Sequence, residues 1–200
     1  RLYSRVIYMR DINSPWSYNL WGFALAPDRH APANEEDIYN DIGRLWMTCD
    51  NSDLIAKFLR LVEQTPGEKT IEHSTRMSLL SWNRPYQDIF KKNQPIWQEG
   101  WVKAFGPNAV LNTQGGLTTL MVHLGFKPIQ LSWSISDFLK NTPGFPVDIE
   151  VAFTARSKMA ESQIVADSDL DPKALKHLTL ARSLASEFTP TPEQQIVAAI

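Results

Sequence analysis

The residues of this chain that could do chemistry are few and widely scattered. Its four histidines, His30, His73, His123 and His177, include no pair at helical i, i+4 spacing and no H-E-x-x-H frame, so none outlines a zinc site. One cysteine, Cys49, excludes an internal disulfide framework and a cysteine-based zinc site together. It falls on the apolar side of an expected helix and reads as a buried thiol. A set of Cys49, His123 and an acid can be named, but no spacing ties these residues to one another. Asp167-Ser168-Asp169-Leu170-Asp171 has the rhythm that opens a calcium-binding EF-hand. That loop also needs a glycine and a bidentate glutamate where this chain has Pro172 and Leu178. Asp171 is instead expected to cap a helix whose first residue is Pro172. Asn112-Thr113-Gln114-Gly115-Gly116 has the make-up of an anion-holding turn but lacks the Lys-Ser or Lys-Thr of a phosphate loop. It reads as a turn before a helix starting at Leu117. The expected inventory is therefore no catalytic residue, no metal and no cofactor.

One stretch combines residue types that suit binding. Trp82, Tyr86, Phe90, Trp97 and Trp101 are interleaved with Arg84, Lys91, Lys92 and Lys103. Counted from Arg76 to Lys103, five basic side chains face only Asp88 and Glu99. Rings that stack on bases beside cations that hold phosphates are what a single-stranded nucleic-acid groove requires. The same letters fit a helix whose rings are core and whose lysines solubilise the far face, and the steps of four from Trp97 to Trp101 to Phe105 favour that second reading.

The elements that must position these residues follow from period and caps. Leu2 to Met9 is rich in β-branched and aromatic types and is expected to be a strand. Asn34, followed by Glu35, Glu36 and Asp37, opens a helix with an apolar face at Ile38, Ile42, Leu45, Trp46 and Cys49. After Asp50-Asn51-Ser52 a second face runs through Leu54, Ile55, Phe58, Leu59 and Val62, and the short link predicts two antiparallel helices packed on each other. A helix is expected over 70–82, and Pro85 and Pro95 each suit the first turn of a further one. Leu117 to Leu124 forms a short helix closed by Gly125. Ile129, Leu131, Trp133 and Ile135, and then Val147, Ile149, Val151 and Phe153, alternate with polar or small residues, predicting two antiparallel strands. A helix from Pro172 to about Phe188 and another near Pro192 complete the chain.

Composition bounds the class. Two hundred residues, 43% hydrophobic and 21% charged, describe an ordinary globular chain, and one this long can bury roughly 70% of its surface without covalent staples. The net charge of −2 is spread evenly over both halves, which excludes a tight DNA binder driven by overall charge. No apolar run approaches the ~18 residues of a membrane span and no signal peptide is visible, so a cytoplasmic location without membrane attachment is expected. Seven tryptophans and nine phenylalanines exceed the obvious needs of one core, so some rings are expected at a partner surface.

The last residues, Phe188 to Ile200 (FTPTPEQQIVAAI), resemble the start of a superfamily 1 helicase motor, where a T-P-E-Q-Q or N-P-x-Q stretch sets a glutamine on the adenine of ATP. The resemblance covers only these residues and implies Gln194 as the adenine reader. Thr191 capping a helix that begins with Pro192 and Glu193 accounts for the same letters.

The sequence thus predicts a mainly α (α+β) domain over 1–188, with a small antiparallel β element near 129–153 and an N-terminal strand. Residues 189–200 form a terminal helix or open a following segment. The expected function is a non-catalytic binding or assembly module, such as an adaptor, coat or nucleocapsid-type subunit, with a protein partner or self-assembly. The alternatives are a nucleic-acid-binding accessory domain, placed before a helicase motor, and an enzyme whose site the sequence does not reveal.

Overall fold

The computed structural model describes residues 1–26, 31–63, 69–77, 84–161 and 167–186. They belong to two compact units, Arg1–Arg156 and Ser157–Ile200, where the sequence suggested a division near 188. The mainly helical α+β class holds, while several elements differ from their expected form.

The expected N-terminal strand breaks into a hairpin, β1 (Leu2–Ser4) and β2 (Ile7–Arg10), joined at Arg5 and Val6. Both turn residues have left-handed backbones, with φ of 49° and 69°. Two positive φ values make the primed turn that a two-residue hairpin favours, yet neither residue is the Gly, Asn or Asp that adopts it readily. β3 (Tyr18–Leu20) lies parallel to β1 on its other side, giving the order β2-β1-β3. It braces the turn: the Arg5 N–H donates to the Leu20 carbonyl (3.1 Å) and the Val6 N–H to Asn19 Oδ1 (2.8 Å).

α1 (Glu35–Met47) starts as expected, with Asn34 Oδ1 accepting the Glu36 N–H at 3.1 Å. α2 (Ser52–Glu63) is capped by Asn51, whose Oδ1 accepts from the Asp53 and Leu54 N–H groups. Its main partner is not α1 but α3 (Arg84–Phe105). α1 meets it through the stacked Trp46 and Phe58 rings, 4.4 Å apart. The reason is Gly100 on α3: a Cβ there would sit 2.6 Å from Ile55 Cγ2, so only glycine allows so close a helix approach. In place of the helix expected over 70–82 there is one 3₁₀ turn, Ile71–Ser74, and then non-helical backbone to Met77, while 78–82 lie outside the described residues. α3 also runs straight through Pro95 instead of beginning there. Pro95 has no N–H for the Lys91 carbonyl, a cost of about 3 kcal/mol in isolation. Burial of Trp97 and Trp101 in the following turns offsets it.

β4 (Ala109–Leu111) is wholly buried, and a turn leads to α4 (Thr118–His123), closed by Gly125 at a φ of 79° as expected. β5 (Lys127–Ile129) then pairs with β4 in parallel, and Leu111 bridges Val147, also in parallel. The expected antiparallel element near 129–153 is therefore a parallel one with β4 at its centre. The two alternating stretches are mostly helix, α5 (Trp133–Lys140) and α6 (Asp148–Glu161). Residues i and i+4 share a face in a strand and in a helix alike, so Leu131/Ile135 and Ile149/Phe153 fit either. Phe138 and Leu139 decide α5: with Ile135 they form a buried i, i+3, i+4 stripe, while Trp133 is left exposed. In the second unit α7 (Pro172–Ser186) begins as predicted, with Asp171 Oδ1 accepting from the Lys173 and Ala174 N–H groups at 2.8 and 3.0 Å.

Candidate functional site: an exposed corner of the N-terminal sheet

The aromatic-basic stretch does not assemble into a groove. Trp97, Trp101 and Phe90 lie in the core of the first unit, among Phe58, Phe138 and Phe145, with Phe90 and Phe138 centroids 4.4 Å apart and Trp101 and Phe145 5.0 Å apart. Trp101 Nε1 also donates to the Ala109 carbonyl at 3.2 Å. These rings cannot stack on bases because their faces are already covered. Lys91 and Lys92 are exposed, but Lys103 is held by Ser52, Asp53 and Glu99, each at 2.8 Å. That ammonium keeps both carboxyls below their ordinary range, mainly through its hydrogen bonds. Arg84 and Tyr86 fall in the first turn of α3 with side chains outside the described set; Trp82 and Gln194 lie outside the described residues altogether.

The polar sets are engaged structurally. The turn at 112–116 does hold an anion, and that anion is the chain's own Asp148. Its Oδ2 accepts the Thr113 and Gln114 N–H groups, both at 2.9 Å, and its Oδ1 accepts the Thr113 hydroxyl at 2.6 Å. Glu72 is completely buried, and its Oε1 accepts from Ser14 Oγ (2.5 Å) and the Tyr18 hydroxyl (2.7 Å), which in turn accepts Trp46 Nε1 (3.1 Å). Burial first, and then the Glu72 charge, push the Tyr18 hydroxyl far above its ordinary range. Buried apart from the partly exposed Ser14, this network ties the N-terminal arm to the core. Cys49 is half-buried beside the Asn51 carbonyl, and burial raises its thiol. His123 bonds to the Thr119 carbonyl of its own helix. In the EF-hand-like stretch Asp167 pairs with Arg182, Asp169 accepts from Ser168 and Asp171 caps α7, so the three carboxylates do three separate jobs. Among the described residues no group of three or more His, Cys, Asp or Glu could hold a metal, and no helix is long and apolar enough to cross a membrane. A cleft of about 340 Å³ beside Arg10, Asn13, Tyr39, Lys69 and Thr70 is polar and open to solvent.

What stands out instead is the hairpin. Val6, Ile7, Tyr8 and Trp21 are exposed by 76, 65, 52 and 64%, and all four sit at one end of the three-stranded sheet. Leu2, Ser4, Tyr18 and Leu20 bury the core side of this sheet, and Ile7, paired with Ser4, continues that row past the edge of the core. Trp21 is presented by fixed backbone. Leu20 before it is buried, and the Gly22 N–H after it donates to Asp41 Oδ2 at 2.7 Å, while Asp41 is itself paired with Arg44 at 2.8 Å. A Cβ at Gly22 would lie 2.2 Å from Asp41 Oδ1, so no other residue permits that approach. Sequence reasoning missed this corner because Arg5-Val6 carries no turn signature and merges with the β-rich letters around it. Val6, a β-branched residue in the left-handed region, is a backbone outlier that adds nothing to the core. Comparison with protein-family models, with curated proteins and with solved structures finds no match to this chain.

Proposed function

We propose that this chain is a non-catalytic binding or assembly module that docks a protein partner through the outer corner of its N-terminal sheet. The observation that carries this reading is Val6. It holds a backbone conformation costing about 1–2 kcal/mol for an L-residue, while its side chain stays in solvent. A strained residue whose side chain adds nothing to the core is the pattern of a residue kept for contact with something else. Exposed Ile7, Tyr8 and Trp21 lie close by, Ile7 on the core side of the sheet and Tyr8 on its outer face, and an aromatic anchor on rigid backbone loses little entropy on binding.

The test is a photo-cross-linking amino acid placed at Trp21, with the same residue at Lys92 on α3 as the control. Adducts to protein at position 21 but not at 92 support the docking surface. Equal yields at both positions, or none at 21 under conditions where the source cell's proteins are present, overturn it.

A further inference from the structure

Building on the docking reading above, we infer that the occupant of this corner is a second copy of the chain, paired antiparallel through β2 about a two-fold axis at Tyr8. β2 is an edge strand, with β1 on one side and no strand on the other among the described residues. In a two-residue hairpin the pair flanking the turn, Ser4 and Ile7, exchanges the closing hydrogen bonds, and bonding alternates along the ladder. The next pair, Tyr3 and Tyr8, is therefore the non-bonded kind, whose side chains approach closely. Their rings do meet, edge to face at 5.8 Å. It follows that the Tyr8 N–H and C=O point away from β1, towards the open edge. Two such edges related by a two-fold axis at Tyr8 satisfy each other, each Tyr8 N–H meeting the Tyr8 carbonyl of the other copy.

The side chains agree with that register. With Tyr8 on the axis, Ile7 faces Met9 of the second copy, apolar against apolar. Arg5, exposed and without a side-chain partner among the described residues, comes to the end of the strand where Asp11 of the second copy lies. Asp11 is itself exposed and only loosely met by Arg1 at 3.9 Å. Symmetry makes each of these contacts twice. A bulge at Met9 returns Arg10 to a bonded pair with Leu2, so its backbone groups face β1, and the Val6 N–H is held by Asn19 Oδ1. Tyr8 is therefore the residue of β2 whose N–H and C=O both face the open edge. Arg10 is also drawn off the edge by Glu35, with Nη1 to Oε1 at 2.8 Å, which leaves the strand unguarded by charge. On the outer face the register lines up Tyr3, Tyr8 and their two counterparts in one aromatic row across a continuous six-stranded sheet. The bulge at Met9 keeps the paired stretch short. So short a pairing makes a small interface, and the dimer is weak and depends on concentration.

Sedimentation equilibrium of the whole chain from about 10 µM to 1 mM reads it directly, a range chosen for a weak complex. The expected result is a mass rising with concentration towards twice the 22.8 kDa of one chain. Tyr8→Pro removes an outward N–H and leaves the hairpin's own bonds intact, so it holds the mass at one chain. Arg5→Asp weakens association about tenfold, two cross-strand charge pairs of up to ~1 kcal/mol each being reversed, and Arg5→Asp with Asp11→Arg restores it. Circular dichroism checks that each variant folds, and the charge swap decides the matter if Tyr8→Pro does not. A mass of one chain throughout, or a dimer indifferent to both perturbations, overturns the pairing. If position 21 then still cross-links to other proteins, only the choice of partner is wrong; if it cross-links to nothing, the docking surface is wrong as well.

Discussion

Asp148 offers the most quantitative test of how this fold is held. Its carboxylate, wholly buried at the start of α6, joins that helix to the turn after β4 by accepting two backbone N–H groups and one hydroxyl from residues 34 and 35 positions away. Hydrogen bonds to a charged group contribute about 1.5–3 kcal/mol each, so simple addition would give about 5–9 kcal/mol for Asp148→Ala. Thr113 is only partly buried and Gln114 is exposed, so water can reach the freed donors and return much of that loss. The expected cost is about 3–4 kcal/mol, read from urea unfolding. Thr113→Val, which removes the hydroxyl alone, should cost about 1.5 kcal/mol, the low end of that range because Thr113 is only partly buried. The vacated turn also becomes a site for a free anion. Acetate or phosphate should therefore raise the melting temperature of the Asp148→Ala chain more than that of the parent, by mass action on the folded state. A loss no larger than that of Thr113→Val, or equal anion effects on both chains, would refute the view that this carboxylate holds the turn.

Three further outcomes follow from the same structure. Replacing Arg5-Val6 by Asn-Gly relieves two left-handed residues and should stabilise the chain by about 1–2 kcal/mol while lowering cross-linking at position 21; a destabilised product would show that the turn carries no strain. Gly100→Ala gains about 1 kcal/mol of helix propensity but drives a methyl against Ile55, so a net loss of about 1–2 kcal/mol is expected in thermal unfolding. Ile55→Ala should remove most of that penalty, the signature of two residues sharing one contact. Tyr18 is held protonated when folded and has an ordinary value near 10 when unfolded. Its contribution is fully present below pH 10 and is lost as pH rises above that, because the unfolded chain then releases the proton and the folded one does not. Ultraviolet titration should find Tyr18 un-ionised until the chain unfolds in alkali.

What the sequence determined by itself was local. Asn34 and Asp171 cap the helices they were expected to cap, and Gly125 closes α4, because a cap needs only a side chain or a positive φ within a few residues. The apolar faces of α1 and α2 were legible for the same reason, since a stripe of period 3.6 is written in consecutive letters, although Leu45 and Leu54, expected on those faces, are exposed. Tertiary structure decided whatever depended on distant residues. It chose helix over strand for α5 and α6, where alternating letters served both, and it carried α3 through Pro95 because Trp97 and Trp101 found a core to fill. That same burial took the rings of the aromatic-basic stretch off the surface. Solvent exposure fell instead to Trp133 and Phe153 and, beside an unmarked turn at the end of the N-terminal sheet, to Tyr8 and Trp21. Whether a ring faces core or water is settled by what the rest of the chain lays over it, and no window of neighbouring residues contains that information.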